Sequence, residues 1–389
     1  MPALKKLLSK RDVNIIGMMS GTSLDGLDLS FCRISYHKPR HRIKIMKNGY
    51  YRFDQELKRN LRILTSNAEF TKSFVKQVDD DLGLFYASRV KRFMTKLGLG
   101  QVDLLACHGQ TILHQDKRIS KSKTERSTTW QIGNSSRLAA LTGVPVISDF
   151  RSGDVALGGS GAPLTPICHY HLFGKNNENV AILNIGGITN ITFLPKKSRR
   201  MKIRASDCGP GNMLVDQLTK RLFDCDYDKG GRIASSGIVS RELLSSLKRR
   251  AWFRRPYPKS LGREQFGDAE VKKIIEIGRR NAISIKDILT TVSELTVISV
   301  MHYIENLPAL DKLIVCGGGA HNKYFMTRLS DLIRESVVIS SEDADVHTDY
   351  VEAVCFALLG ALWLYGEPAN LPSVTGASKQ AVLGRLTLP

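Results

Sequence analysis

Two segments far apart in this chain share one plan. Residues 13–31 pass from an apolar stretch, Val13-Asn14-Ile15-Ile16, through the polar turn GMMSGTSLDG into alternating Leu27, Leu29 and Phe31. Residues 180–195, VAILNIGGITNITFLP, repeat it as apolar run, glycine turn and second apolar run. Short apolar runs and alternation bounded by glycine read as strands. Residues 43–53 add a third strand to the first pair, and Met201 to Ala205 add one to the second. Helices are predicted over 54–65, 68–98, 210–223, 237–250, 264–281 and 285–306. VDLLACHG (102–109) reads as a buried strand, KLIVCGGGAHN (312–322) as a strand entering a glycine turn, and 348–366 as an apolar helix. The C-terminal segment reads mostly as loop. A chain so patterned is expected to be a duplicated α/β protein with a cleft between its halves.

The 389 residues suit two domains, and no apolar run reaches the roughly 18 residues of a spanning helix. The N-terminus lacks the apolar core of a secretory signal. Seven scattered cysteines, none in a CxxC, point to reduced thiols and a cytoplasmic address. The formal charge of +20 is unusual. Much of it gathers in residues 37–47, 116–126, 196–204 and 247–259, parts of which read as loops or hairpin tips. A solvated basic surface and a nucleic-acid site are the two explanations. No nucleic-acid-binding motif supports the second, so nucleic acid is not an expected partner.

Three glycine turns follow strands: MSGTSLDG (19–26), NIGGITN (184–190) and CGGGAHN (316–322). Glycine lets backbone amides approach phosphate oxygens, although for any single turn a tight bend is the commoner reason for it. Ser20, Thr22 and Ser23 add hydroxyl donors, and Asp25 or Asp28 could hold magnesium through water. Three such turns favour a nucleotide. The pattern GxxxxGK[ST] is absent, so the nucleotide is not held by a P-loop.

The order strand, strand, strand, helix, strand opens the actin and sugar-kinase ATPase superfamily. More specifically, seven collinear blocks resemble the anhydro-N-acetylmuramic acid kinase family. They are GMMSGTSLDGLD, ACHGQTILH, the stretch from Trp130 to Pro166, ILNIGGITNIT, DCGPGN, KSLGREQF and CGGGAHN. The resemblance implies a two-lobed actin-like (ribonuclease H-like) α/β fold with a central nucleotide and sugar cleft. The lobes expected are 1–147, with 370–389 returning to it, and 148–369. It implies ATP with Mg2+ as cofactors, a homodimer, and an anhydro amino sugar as substrate in peptidoglycan recycling. In that reaction water opens the 1,6-anhydro bridge and the freed O6 accepts the γ-phosphoryl group.

The same resemblance assigns residues. Gly21, Thr22, Ser23, Leu24, Asp25, Gly26, Leu27 and Asp28 form the first phosphate loop, with Asp25 toward the metal. Gly186 and Gly187 belong to the second loop, and Gly317, Gly318, Gly319 and Asn322 lie near the adenosine. Asp207 of DCGPGN becomes the base that activates water, although from its residue context alone it reads first as a helix N-cap. Glu352 becomes the second functional carboxylate, the other explanation being a charge on a helix N-terminus. Arg151 suits the lactyl carboxylate of the sugar, or a structural pair with Asp149 or Asp154. His108, Gln110, Gln131, Asn134 and Gly159 complete the expected sugar pocket, and Pro163 is expected to start a helix. Ser160, Leu261 and Gly267 depart from the family pattern without removing a proposed catalytic group.

Overall fold

The first hairpin starts where the alternation places it. In the computed structural model, which describes residues 2–21, 23–66, 69–116, 126–197 and 202–389, strand β1 (Asp12–Met19) pairs antiparallel with β2 (Gly26–Ser35). Strand β2 pairs antiparallel with β3 (Arg42–Arg52), and β1 pairs parallel with β4 (Leu104–Cys107). A separate hairpin of β5 (Gln110–Gln115) and β6 (Thr128–Ile132) follows, and β7 (Val146–Ser148) lies parallel to β4.

Strand β1 is buried on both faces, which is why it reads as a nearly continuous apolar run. Ile16 and Met18 face a core shared with Leu61, Val78, Leu82 and Tyr86. These come from helices Gln55–Thr65 and Lys72–Lys96. The helices start where side chains cap them: Asp54 accepts from Leu57 N and Thr71 from Phe74 N, each cap contributing about 1 kcal/mol. Gly17, on the other face of β1, meets the apolar helix Val351–Leu364. A Cβ at Gly17 would stand 1.9 Å from Ala353 O, so only glycine lets this helix lie on the strand.

The second segment builds the same sheet again. Strands β8 (Val180–Ile185), β9 (Ile188–Leu194) and β10 (Arg204–Pro210) form an antiparallel meander. Strand β11 (Lys312–Cys316) lies parallel to β8, and β12 (Val337–Ser340) parallel to β11. The orders β3-β2-β1-β4-β7 and β10-β9-β8-β11-β12 are identical in direction as well as sequence. This is the duplicated ribonuclease H-like α/β fold of the actin-like ATPases.

The chain divides into two compact units, Met1–Leu172 with Glu352–Pro389, and Phe173–Val351. Residues 148–172 and 352–369, expected in the second half, therefore lie with the first. The reason is packing: Gly360 sits against Ala106 and Leu104 of β4, as Gly17 does against Ala353. The C-terminal segment is less irregular than expected, since Arg385–Thr387 adds an antiparallel strand beside β7. Three residues are too few to show a period in the sequence.

Other boundaries shift for identifiable causes. The strand expected over 201–205 runs from Arg204 to Pro210, and the following helix starts at Asn212 rather than Pro210. Strand β10 is an edge, where a proline costs no ladder bond. The helix expected over 237–250 is cut to Arg241–Lys248 by the Ser240 cap, with a separate turn at Ala251–Arg254. Pro163 does not start a helix; that helix is Thr165–Phe173. The basic stretches at 117–125 and 198–201 lie outside the described residues.

Candidate active-site residues

In the first unit, the turn between β1 and β2 is tied to the turn after β4. Ser20 Oγ donates to Gly109 O at 3.0 Å and lies 2.5 Å from Tyr86 OH. Gln110 Nε2 donates to Gly21 O at 3.2 Å, and the buried Gln110 Oε1 has no partner among the described residues. Ser20 is therefore a strut and not a loose donor. Ser23 Oγ donates to Asp25 Oδ1 at 2.6 Å and so presets that carboxylate. Leu24 and Leu27 send their side chains into the core, leaving only backbone for a ligand. Asp25 and Asp28 both push up the hydroxyl pKa of Tyr50, after burial, which places the two carboxylates near one ring. Thr22 lies outside the described residues.

Among the described residues no group of three or more His, Cys, Asp or Glu could hold a metal. Magnesium does not need one, since it keeps waters and phosphate oxygens and takes only one or two carboxylates. Asp25 and Asp28, flanked by Ser23, fit that donor set.

His108, Arg151 and Glu352 interact within the same unit. Arg151 Nε donates to His108 Nε2 at 3.0 Å, and its Nη1 to Gly161 O at 3.2 Å. Accepting at Nε2 puts the His108 proton on Nδ1. Burial, then the Arg151 charge, hold the imidazole well below its ordinary pKa, so it is neutral. Burial lowers the Arg151 guanidinium to about 10, opposed by Glu352, and raises the Glu352 carboxyl, opposed by Arg151. Neither expected structural pairing of Arg151 occurs: Asp149 pairs with Arg385 at 3.1 Å. Asp154 is taken by Gly161 N (2.8 Å), Asn370 Nδ2 (2.8 Å) and Thr375 Oγ1 (2.7 Å). Arg151 thus keeps its cationic character for a partner other than these aspartates.

His108, Gln131 and Asn134 line one cavity of about 370 Å³, together with Asp79, the exposed Trp130 and Asp149. Asn134 is mostly spent on structure: it caps helix Ser135–Thr142 by accepting from Arg137 N and donates to Asp80 Oδ1 at 2.6 Å. Gln131 Nε2 donates to Thr129 Oγ1 (2.7 Å) and Thr111 Oγ1 (3.1 Å). Gly159 has an internal reason to be glycine, since a Cβ there would meet Asp154 Oδ2 at 2.1 Å.

In the second unit the glycines divide by what surrounds them. A Cβ on Gly317 would reach Asn184 Oδ1 at 2.3 Å, and one on Gly319 the Ile185 side chain at 2.2 Å. These two pack the turn onto β8. Gly186 and Gly318 are different: among the described residues nothing would come closer than 3.5 Å to a Cβ at either. Gly187 is intermediate, 3.2 Å from Met213 Cε. Asn322 caps helix Lys323–Leu332 by accepting from Tyr324 N and Phe325 N, so its side-chain oxygen is engaged.

Asp207 lies inside β10, not at a helix start; the N-cap of the next helix is Gly211. The capping explanation for this aspartate is therefore removed. A bulge between Asp207 and Gly209 interrupts the pairing with β9, and bulges on edge strands re-aim a side chain. Asp207 Oδ2 accepts from Leu261 N at 2.7 Å. The buried Lys259, which the sequence reading did not single out, lies in the same KSLG segment as Leu261. A lysine beside Pro258 in a block already matched to the family was the available signal.

Comparison with known proteins gives the family. A family profile described as anhydro-N-acetylmuramic acid kinase matches residues 13–389. The anhydro-N-acetylmuramic acid kinase of Salinibacter ruber is 37% identical, with 100% of each chain covered. That of Aliivibrio fischeri is 38% identical over 95% of this chain and 97% of its own. Among solved structures, an activator of 2-hydroxyisocaproyl-CoA dehydratase from Clostridium difficile, with bound ADPNP, covers 89% of this chain and 93% of its own. Its TM-score is 0.44 and its identity 11%. With the profile running nearly end to end and relatives matched over full length, this chain belongs to the anhydro-N-acetylmuramic acid kinase family.

Proposed function

We propose that this kinase opens the 1,6-anhydro bridge of 1,6-anhydro-N-acetylmuramic acid and phosphorylates O6, giving N-acetylmuramate 6-phosphate and ADP. The observation that carries the residue assignment is Asp207 on a bulged edge strand, with one carboxylate oxygen pinned by the Leu261 amide. A pinned carboxylate keeps a fixed direction, which a base acting on one water requires. Asp207 takes a proton from water as the water oxygen bonds to C1. The C1–O6 bond breaks, and O6 bonds to the γ-phosphorus as its bond to the ADP oxygen breaks. Arg151, freed from Asp149 and Asp154, suits the lactyl carboxylate, and Glu352 beside it orients substrate or water.

Each unit offers turn backbone that suits the phosphates of ATP: Gly21 and residues 23–28 in the first, and Gly186, Gly187 and Gly318 in the second. Asp25 and Asp28 are the residues that would hold Mg2+, which would neutralise phosphate charge when bound. Gly317, Gly319 and Asn322 shape the adenosine side. The protein would work as a cytoplasmic homodimer. All seven cysteines are free thiols, six of them buried, and no helix among the described residues is long and apolar enough to cross a membrane.

The test is mass spectrometry after incubation with ATP, magnesium and the anhydro sugar in oxygen-18 water. The expected product is a sugar phosphate carrying one heavy oxygen, reduced at least a hundredfold in Asp207→Asn, within the range of lost base catalysis of roughly 100- to 10,000-fold. Absence of the labelled sugar phosphate with the unmodified enzyme would reject the reaction. Equal turnover by the variant would reject Asp207 as base.

A further inference from the structure

The chain has three tryptophans, and the fold uses two of them. Trp252 is buried and packs edge-on against Phe253 and Phe266, with ring centroids 5.7 and 5.2 Å apart. Trp363 Nε1 donates to Gly384 O at 3.2 Å. Trp130 has neither kind of partner among the described residues and is 45% exposed. Its place on β6 sets it across the hairpin from Leu113, itself an exposed residue. Such a cross-strand pair stabilises a hairpin only modestly and does not require an indole.

Trp130 lines the cavity of about 370 Å³ in the first unit. Its position follows from the sheet. Strands β4 and β7 are parallel, and residues that follow their carboxyl ends, His108 and Gly109 after one and Asp149 and Ser152 after the other, form part of its wall. Ligands of open α/β sheets gather at that edge, and the volume suits a small molecule. The charge disfavours a phosphate. In a chain of net charge +20, the wall holds Asp79 and Asp149 and, among the described residues, no Lys or Arg. Asp149 is paired with Arg385, which leaves Asp79. Asp79 Oδ1 accepts from Gly133 N at 2.6 Å, and its Oδ2 accepts from no described residue. Gln131 spends its Nε2 on Thr129 and Thr111, and its Oε1 accepts from no described residue either. An aromatic face beside two such acceptors fits a sugar. The C–H groups of a sugar are polarised by neighbouring oxygens and meet the negative face of an indole, while its hydroxyl and amide N–H groups donate.

We propose that Trp130 is the platform of the sugar site: the substrate lies in this cavity with C–H groups against the indole, and its O–H and N–H groups donate to Asp79 and Gln131. The inference rests on the anhydro amino sugar being the substrate. The carboxylate of that sugar is left to Arg151, whose Nε donates to His108 of the wall at 3.0 Å.

The experiment is tryptophan fluorescence during titration with 1,6-anhydro-N-acetylmuramic acid, with ADP and magnesium held constant. Wild-type emission should move to shorter wavelength as the sugar covers the exposed indole, and Trp130→Phe should show no such shift. By calorimetry Trp130→Ala should bind the sugar about tenfold more weakly, with ADP affinity unchanged. A tryptophan that only braces the hairpin would lower the melting temperature of Trp130→Ala and leave sugar affinity alone. Sugar binding to wild type without a shift in emission overturns the proposal, as does a full shift in Trp130→Phe. The fluorescence comparison decides even where Trp130→Ala does not fold. A wild type that makes no labelled product but shifts with the sugar loses the reaction and keeps the platform. One that makes product without a shift keeps the reaction and loses the platform. One that neither binds nor turns over the sugar loses both.

Discussion

His169 shows what a single buried imidazole does to the whole chain. It lies buried in the helix Thr165–Phe173, and burial lowers it from 6.5 to about 3. The unfolded chain takes a proton on this residue near pH 6.5, whereas the folded chain refuses it until about 3. The unfolded state therefore binds more protons throughout that window, and stability falls as pH drops through it. Between pH 6.5 and 5 this one group should remove about 2 kcal/mol. Urea midpoints at the two pH values should show the loss, and His169→Asn should flatten it; an unchanged slope would place the acid sensitivity elsewhere. Residue roles were only partly legible in the sequence. The type and motif of Asp207 pointed to it, but whether it capped a helix depended on where β10 ends, and Pro210 reads equally as strand edge or helix start. Asn134 and Asn322 also cap helices, a role that an amide at a turn does not disclose until the helix start is known.

At the scale of elements, the glycine turns were legible as turns but not as two kinds of glycine. Gly317 has φ 75° and faces Asn184 at a distance no Cβ could tolerate, whereas a Cβ at Gly186 or Gly318 would meet its described neighbours only at ordinary van der Waals distance. The distinction comes from how the turn packs on β8, which no local pattern encodes. It yields a direct comparison. Gly317→Ala should cost about 1–3 kcal/mol of stability, seen as a lower melting temperature. Gly186→Ala and Gly318→Ala should leave melting within about 2 °C of wild type and weaken ATP binding at least tenfold, about 1.4 kcal/mol, by calorimetry. If both bind ATP normally, those positions do not meet the nucleotide. Helix ends were less legible than helix existence, because Ser240, Thr71 and Ser284 fix them through single side-chain bonds inside longer compatible stretches.

At the scale of the molecule, the duplication was visible in sequence because central strands read as apolar runs wherever both faces are covered. The unit boundaries were not, because they depend on which sheet the helix Val351–Leu364 covers, and its apolar surface fits either. The second unit is one continuous segment with its own core, including Leu183, Phe193, Leu214, Trp252, Phe266, Leu295 and Phe325. Residues 173–351 made alone should therefore fold, with a cooperative thermal transition by circular dichroism; a featureless melt would deny that autonomy. The first unit has no such independence. Its sheet takes a strand from Arg385–Thr387, and its helix against β1 comes from Val351–Leu364. Protein synthesis proceeds from the N-terminus, so the half made second has all its parts before the half made first. The first sheet must wait on the ribosome with Ile15 and Ala106 uncovered on the face that helix will occupy. A stop codon a few dozen residues early would thus unmake the beginning of the protein and leave the middle standing.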